Sequence, residues 1–293
     1  MEEPFLNEGR IIKLIGGLYT VVGTDRSRHE LKPLGIFRHR NISPKVGDFC
    51  RYDESSITEI FPRHNDLIRP AIANIDQAIL VTSTKRPDFS RILLDKFLAL
   101  IIYSHIEPLI VLTKVDLLTE NERKELVEII SYYQRYFRVF YFSAKTKEGL
   151  NELLEALHGK VNVLTGQSGA GKSSLINTID PTLNLETDEI SLALGRGKHT
   201  TRHVELLELA GGWIADTPGF SKLEFDDMDL PGLKDSFPDF FEVSGKCKFS
   251  GCLHLDEPLC EVKRLLSENK IPRERYDDYR RFVEEIQHKK PKY

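Results

Sequence analysis

The residues Gly166-Gln167-Ser168-Gly169-Ala170-Gly171-Lys172-Ser173-Ser174 follow the pattern G-x-x-x-x-G-K-[ST]. Glycines at this spacing let the backbone curl until its N–H groups point inward, which makes a cradle for phosphate oxygens. A lysine beside such a cradle can reach the β- and γ-phosphates of a nucleotide, and the hydroxyl after it can ligate Mg²⁺. Lys172 and Ser173 hold those two positions. The flanks agree. Residues 160–165 form a short apolar run that reads as a buried strand, and Ser174 onward opens a helix whose free N–H groups add to anion binding. The pattern predicts a nucleoside triphosphate site, against the plainer reading of a glycine turn before a helix.

A second group could choose the base. Thr113-Lys114-Val115-Asp116 follows an apolar run at 108–113, at the carboxyl edge of a strand where open α/β sheets bind ligands. A carboxylate there accepts from the two neighbouring N–H groups that guanine presents and adenine lacks. ATP would leave Asp116 unpaired and should be rejected strongly. Lys114 would lie against the base. Ser143-Ala144-Lys145 also ends a strand, where backbone N–H groups could meet the guanine carbonyl oxygen. T-K-x-D alone equally suits a polar strand-to-loop boundary; joined to the glycine loop and Ser-Ala-Lys, it predicts guanine specificity.

Beyond the glycine loop lie a basic stretch, residues 195–202, containing His199-Thr200-Thr201, and then Asp216-Thr217-Pro218-Gly219. Between them, residues 203–209 and 212–215 read as antiparallel strands. Asp-x-x-Gly supports the Mg²⁺ shell through Asp216 and meets the γ-phosphate with the Gly219 N–H; in isolation it is also an ordinary turn. Thr200 or Thr201 would close over the metal when GTP is present. Many GTPases place a glutamine after Asp-x-x-Gly to orient the attacking water. Here that position is Phe220, so slow hydrolysis is expected unless another group is brought in. His199 is the internal candidate for that catalytic role, with a simple contact residue as the alternative.

Cys247-x₄-Cys252-x-His254-x₅-Cys260 supplies three thiolates and an imidazole. All four coordination positions would be filled by protein, the signature of one structural Zn²⁺ rather than a catalytic ion. Such an ion would supply much of the folding energy of a segment with little core of its own. Cys50 stands alone in a strand-like run and reads as a buried apolar residue.

The elements that must position these groups follow from the texture of the chain. Residues 1–70 hold short β-rich runs at 9–15, 18–22, 47–52 and 56–61, punctuated by Gly16-Gly17, Gly23 and the turn at Asp53. Such strands suit a small β-barrel, an OB-fold in the first instance. Its segment 35–41 sets Phe37 among Arg38, His39 and Arg40, which suits either an RNA-gripping loop or a solvated loop with Phe37 packed inward. From Ile75 buried strands alternate with amphipathic helices, predicting a mostly parallel sheet covered on both faces. Residues 260–269 and 273–288 read as amphipathic helices, with Tyr276, Tyr279, Phe282, Val283 and Ile286 on one face and a basic tail after them.

At 293 residues, 40% hydrophobic and 29% charged, the composition is that of an ordinary soluble protein. No apolar run reaches the length of a membrane span and the N-terminus has no signal-peptide core, so a cytoplasmic location with no membrane contact is expected. The net charge of −4 covers slightly basic ends and an acidic centre. The ends could touch nucleic acid, although charge this small argues weakly.

The order of the motifs is itself informative. Ordinary P-loop GTPases run from P-loop through the switch threonine and Asp-x-x-Gly to [NT]-K-x-D and Ser-Ala-Lys. Here Thr113–Asp116 and Ser143–Lys145 come first, a circular permutation. With a β-barrel before and a Cys₃His cluster after, the chain resembles the YjeQ/RsgA family of circularly permuted GTPases over essentially its whole length. That resemblance implies binding to the 30S ribosomal subunit and its 16S rRNA, a role late in subunit maturation, and slow GTP hydrolysis stimulated by the subunit. It implies three parts: a barrel at 1–70, a permuted α/β GTPase domain at 71–225 and a zinc-binding helical domain at 226–293, in a chain expected to be monomeric. Three other readings stay open at this point. They are a GTP-binding RNA module that barely hydrolyses, a metabolic P-loop kinase, and a zinc-stabilised RNA-binding protein with a vestigial nucleotide site.

Overall fold

The computed structural model describes residues 7–67, 70–183, 204–215 and 223–288. The first strands are β1 (Asn7–Ile15), β2 (Leu18–Gly23), β3 (Arg28–Pro33), β4 (Phe49–Tyr52) and β5 (Ser56–Ile60), with a short helix α1 (Ile36–His39) between β3 and β4. They pair in the order β1-β2-β3-β5-β4, and β4 returns to β1. The β3–β5 contact is parallel and the others are antiparallel, a closed five-stranded barrel of OB type. Closure leaves Ile11, Val21, Cys50 and Ile57 with no exposed surface. Cys50 is thus an interior apolar residue. The runs read from sequence include four of these strands and omit β3. In Arg28-His29-Glu30-Leu31-Lys32-Pro33 only Leu31 is buried, so one side chain carries the inward face and no alternation is visible. Phe37 is 4% exposed, while His39 and Arg40 are exposed. A ring so covered cannot stack on a base, so Phe37 packs inward, and the segment read as a loop is the helical turn α1.

The second layer comprises β6 (Gln77–Ser83), α2 (Arg91–Tyr103), β7 (Glu107–Thr113), α3 (Glu120–Tyr133), β8 (Arg138–Phe142), α4 (Leu150–Leu157), β9 (Val161–Thr165), α5 (Lys172–Ile179), β10 (Val204–Leu209) and β11 (Gly212–Ala215). The strands lie in the order β10-β11-β9-β6-β7-β8. Only the β10–β11 pair is antiparallel. β7 and β9 are almost wholly buried because helices cover both faces, which is why they read as unbroken apolar runs. Thr119 caps α3 in a reciprocal box with Glu122. β9 leaves the sheet beside β6 although β8 precedes it in sequence, so the strand order reverses between them. Open α/β folds bind ligands at such a crevice.

The barrel and this sheet are joined by main-chain hydrogen bonding. The far end of β1 pairs antiparallel with β10, setting Lys13 opposite Glu205 and Leu14 opposite Val204. A Lys13–Glu205 ion pair of 2.8 Å lies across the junction.

After β11 come α6 (Leu230–Asp235), α7 (Pro238–Ser244), α8 (Glu261–Ser267) and α9 (Arg273–Gln287). Asp229 caps α6 by accepting from the Gly232 N–H, and proline opens both α6 and α7. The predicted apolar face of α9 is buried at Tyr276, Tyr279, Phe282 and Val283, against Leu233, Phe237 and Phe240; Ile286 packs at its margin. α9 lies along α2, where Lys96 reaches Glu285 at 2.7 Å.

Candidate functional site

The glycine loop spans the turn from β9 into α5. Gly166, Gly169 and Gly171 all have positive φ, at 133°, 73° and 94°. Gly166 also needs the absence of a side chain, since a Cβ there would sit 2.1 Å from the Val81 carbonyl oxygen. The loop therefore packs against the end of β6, and glycine is what permits it. Gly171 stands at the N-cap of α5, leaving the first N–H groups of the helix unpaired within it and facing the loop. Lys172 folds back onto the cradle, its Nζ donating to the carbonyls of Gly166 (2.8 Å) and Gln167 (2.7 Å). Burial lowers its pKa from the ordinary lysine value. Ser173 is buried at the base of the loop, Ala170 is fully buried, and Gln167, Ser168 and Ser174 keep some or most of their surface.

The T-K-x-D residues lie at the end of β7, next to the cradle. The Thr113 hydroxyl donates to the Ala170 carbonyl at 2.5 Å. Lys114, in the left-handed region with φ of 60°, donates from Nζ to the Gly169 carbonyl at 2.7 Å and to that of Arg86. Two residues of the T-K-x-D motif thereby grip the glycine loop directly. Val115 is buried, and Asp116 sits in a 3₁₀ turn, Val115–Leu117. The Ser143 hydroxyl at the end of β8 donates to Asp116 Oδ1 at 2.7 Å and accepts the N–H groups of Lys145 and Thr146 at 3.2 and 3.1 Å. Ser143 is itself fully buried, so this small network fixes the aim of the Asp116 carboxylate. Ala144 is half-buried and Lys145 exposed beside it. The residues predicted from three separate stretches of sequence are thus brought to one edge of the sheet, at the ends of β7, β8 and β9.

His199, Thr200, Thr201, Asp216, Gly219 and Phe220 lie outside the described residues. The strands between these two segments, β10 and β11, are antiparallel neighbours as read from sequence.

The four metal-type residues come together between α7 and α8. One ligand atom from each of Cys247, Cys252, His254 and Cys260 lies within 4.8 Å of all the others. His254 Nδ1 faces the sulfurs of Cys260 at 3.3 Å and Cys247 at 3.7 Å. Ordinary Zn–S and Zn–N lengths in a tetrahedron give an N···S edge of about 3.5 Å, which these distances bracket. The Glu261 N–H donates to Cys247 Sγ at 3.3 Å. Burial pushes the Cys252 thiol up to about 12 and lowers His254 to about 4. Four such groups, three of them buried, with a neutral imidazole and the Cys252 and Cys260 thiols raised by burial, fit a divalent ion. Tyr276 and Tyr279 of α9 fasten the knuckle by donating to the carbonyls of His254 and Leu253, each at 2.7 Å.

A charged cluster under this module was not legible in the sequence. Arg275 is 2% exposed and contacts both Asp95 of α2 and Asp239 of α7. In sequence it stands between Glu274 and Tyr276, where an arginine reads as part of a solvated helix face. Its only sequence signal is adjacency to the apolar stripe of α9.

Comparison with known proteins agrees with this arrangement. The RsgA GTPase family matches residues 60–226, and the RsgA N-terminal domain matches residues 8–59. The chain is 49% identical to a small ribosomal subunit biogenesis GTPase, RsgA 2, of Oceanobacillus iheyensis, over 98% of this chain and 99% of the relative. It is 48% identical, with the same coverage, to the small ribosomal subunit biogenesis GTPase RsgA of a Geobacillus species. Among solved structures it is similar to YloQ, a circularly permuted GTPase, with a TM-score of 0.86 and 39% identity over 100% of this chain and 99% of that one. YjeQ from Thermotoga maritima gives a TM-score of 0.87 and 35% identity over 98% and 100% of the two chains. With the family matched from the barrel through the nucleotide-binding sheet, and relatives matched along nearly their whole length, the chain belongs to the RsgA GTPase family.

Proposed function

We propose that the chain is a GTP-controlled assembly factor of the small ribosomal subunit, acting in the cytoplasm as a monomer. It binds the 30S particle and its 16S rRNA in one nucleotide state and leaves after hydrolysis. The observation that carries this reading is the convergence of the glycine loop, Thr113–Asp116 and Ser143–Lys145 on one sheet edge, in a chain whose relatives are named as small ribosomal subunit biogenesis GTPases.

In this reading Lys172 exchanges its two loop carbonyls for the β- and γ-phosphates, and the N–H groups of 166–174 line the phosphate chain. Asp116, aimed by Ser143, accepts from the guanine N–H pair, while Lys114 flanks the base. Mg²⁺, when bound with GTP, offsets phosphate charge; Ser173 would hold it, with Asp216 and Thr200 or Thr201 supporting. Gly219 meets the γ-phosphate. Phe220 supplies no water-orienting group, and His199 takes that part when the subunit is present. The Cys₃His set holds one structural Zn²⁺. The divisions near residues 70 and 225 separate barrel, GTPase and zinc-binding parts.

GTP turnover by the purified chain, alone and with small or large subunits, tests the assignment. A rise of orders of magnitude with small subunits only is the expected result. A rate unchanged by either particle would overturn it.

A further inference from the structure

A cleft of about 460 Å³ opens where the barrel meets β11, well away from the nucleotide site. Three aromatic rings line it: Phe49 and Phe61 from the barrel and Trp213 from β11. Phe49 is 40% exposed although it lies on a barrel strand, so barrel packing does not account for its presence. The Arg10 guanidinium lies over the Phe49 ring at 4.1 Å from its centroid, and Arg51 lies over Phe61 at 5.1 Å. Arg10 Nε is buried without a hydrogen-bond partner, and among the described residues neither Arg10 nor Arg26, which also lines the cleft, forms an ion pair. The acid in the cleft, Glu8, is met by Arg51 at 3.2 Å. The cleft is therefore aromatic and carries two arginines without a direct ion pair, Arg10 feeling the more distant charge of Asp76.

We propose that this cleft seats an unstacked RNA base between its aromatic rings, with Arg10 and Arg26 meeting the flanking phosphates. Stacking faces beside guanidinium groups are how proteins hold single-stranded nucleic acid. The volume falls in the range of a small-ligand pocket. An extended peptide is a poorer occupant, because it would need a free strand edge and β1 is already paired with β2, β4 and β10. The inference rests on the assignment of an RNA-containing partner made above, but locates the contact away from the α1 segment at 35–41.

The cleft has a mechanical link to the GTPase. Trp213 is held from both sides of its peptide: its N–H donates to the Lys160 carbonyl at 2.8 Å, and its own carbonyl accepts from Asn162 Nδ2 at 2.9 Å. Three residues further along the chain is Asp216. A base resting on Trp213 thus bears on the strand that leads into Asp216–Gly219.

Trp213 is the single tryptophan of the chain, so its fluorescence reports the cleft directly. The full-length protein is titrated with hexa-adenylate RNA and with an abasic hexamer carrying the same phosphates. Quenching by the first and not the second is expected. Phe49→Ala should raise the Kd about tenfold, Phe49→Tyr should retain wild-type affinity, and both should keep the far-UV CD spectrum and GTP affinity. Absence of quenching, equal binding of the abasic strand, or wild-type affinity in Phe49→Ala would each overturn the proposal. Subunit-stimulated turnover is measured in parallel. Stimulation without quenching removes the cleft and leaves the assembly function; quenching without stimulation does the reverse.

Discussion

Arg275 of α9 holds Asp239 of α7 through two parallel N–H···O bonds, 2.6 Å from Nε and 2.8 Å from Nη2, with both side chains sealed from water. The same guanidinium donates to Asp95 of α2 at 2.5 Å. Two tyrosines of α3 complete the cluster: Tyr132 donates to Asp239 and Tyr133 to Asp95, each at 2.8 Å. One buried cation therefore fastens the C-terminal helices to two helices of the GTPase sheet.

Removing that cation strands two carboxylates in the interior. Loss of one partner of a buried pair costs about 3–5 kcal/mol, more than the intact pair contributes over an apolar replacement. Arg275→Ala should lower stability in urea by that amount and loosen the C-terminal helices before the GTPase sheet, as read by hydrogen exchange. Retention of wild-type protection in α9 would show that the cluster does not hold the two parts together.

The cluster has two carboxylates for one guanidinium, and Asp95 is the one left short. Burial pushes its carboxyl up to about 6, against the pull of Arg275 and the Tyr133 hydroxyl. The folded chain thus keeps a proton that the unfolded chain releases near the ordinary value of 3.8. That contribution to stability is full below about pH 4 and is lost as the pH rises through 6. Wild type should lose about 3 kcal/mol relative to Asp95→Asn between pH 4 and 7. Parallel pH profiles for the two proteins would contradict this assignment of the proton.

Base choice should hinge on Asp116 and its support. Asp116→Asn exchanges an acceptor for a donor opposite the guanine N–H pair, so GTP affinity should fall by about 10²-fold or more. Xanthine carries a carbonyl where guanine has its amino group, and the new amide can donate to it; XTP should bind the variant better than GTP. Ser143→Ala frees the carboxylate without removing it and should weaken GTP by about five- to tenfold. Competition against a fluorescent nucleotide measures all three.

Metal content separates the structural ion from the nucleotide chemistry. The purified chain should carry one equivalent of zinc by atomic emission, and Cys252→Ser close to none. The variant should lose the order of residues 247–260 and the two tyrosine contacts from α9, with a lower Tm, while GTP affinity stays within about twofold because the cluster lies outside the nucleotide site. An unchanged Tm on chelation would remove the structural role of the ion.

The local chemistry was legible because each motif carries its own geometry. Glycines at 166, 169 and 171 demanded positive φ and show it. The spacing of Cys247, Cys252, His254 and Cys260 left little room for any arrangement but convergence. What sequence did not reveal is interaction at long range. Thr113 and Lys114 gripping the carbonyls of Ala170 and Gly169 joins motifs more than 50 residues apart, and no local pattern announces it. α6 and α7 were missed for another reason: each is a single short turn or two, begun by proline, with too few residues for periodicity to register. Arg275 was hidden because burial of a guanidinium depends on carboxylates from α2 and α7, 180 and 36 residues away.

The junction of β1 with β10 bears on how the molecule avoids its own copies. In the nucleotide-binding sheet taken alone, β10 is a border strand, with Leu206 and Leu209 buried and its outer main-chain groups facing away from β11. Bare borders of this kind template sheet growth between molecules. The barrel occupies that border at Val204 and Glu205 and posts charge along it, with Lys13 on Glu205 and Arg28 on Glu208. A barrel is a fitting guard, since a closed sheet has no border of its own to expose in exchange. The first 60 residues thus cover the start of that border, and a fragment lacking them is expected to self-associate as its concentration rises.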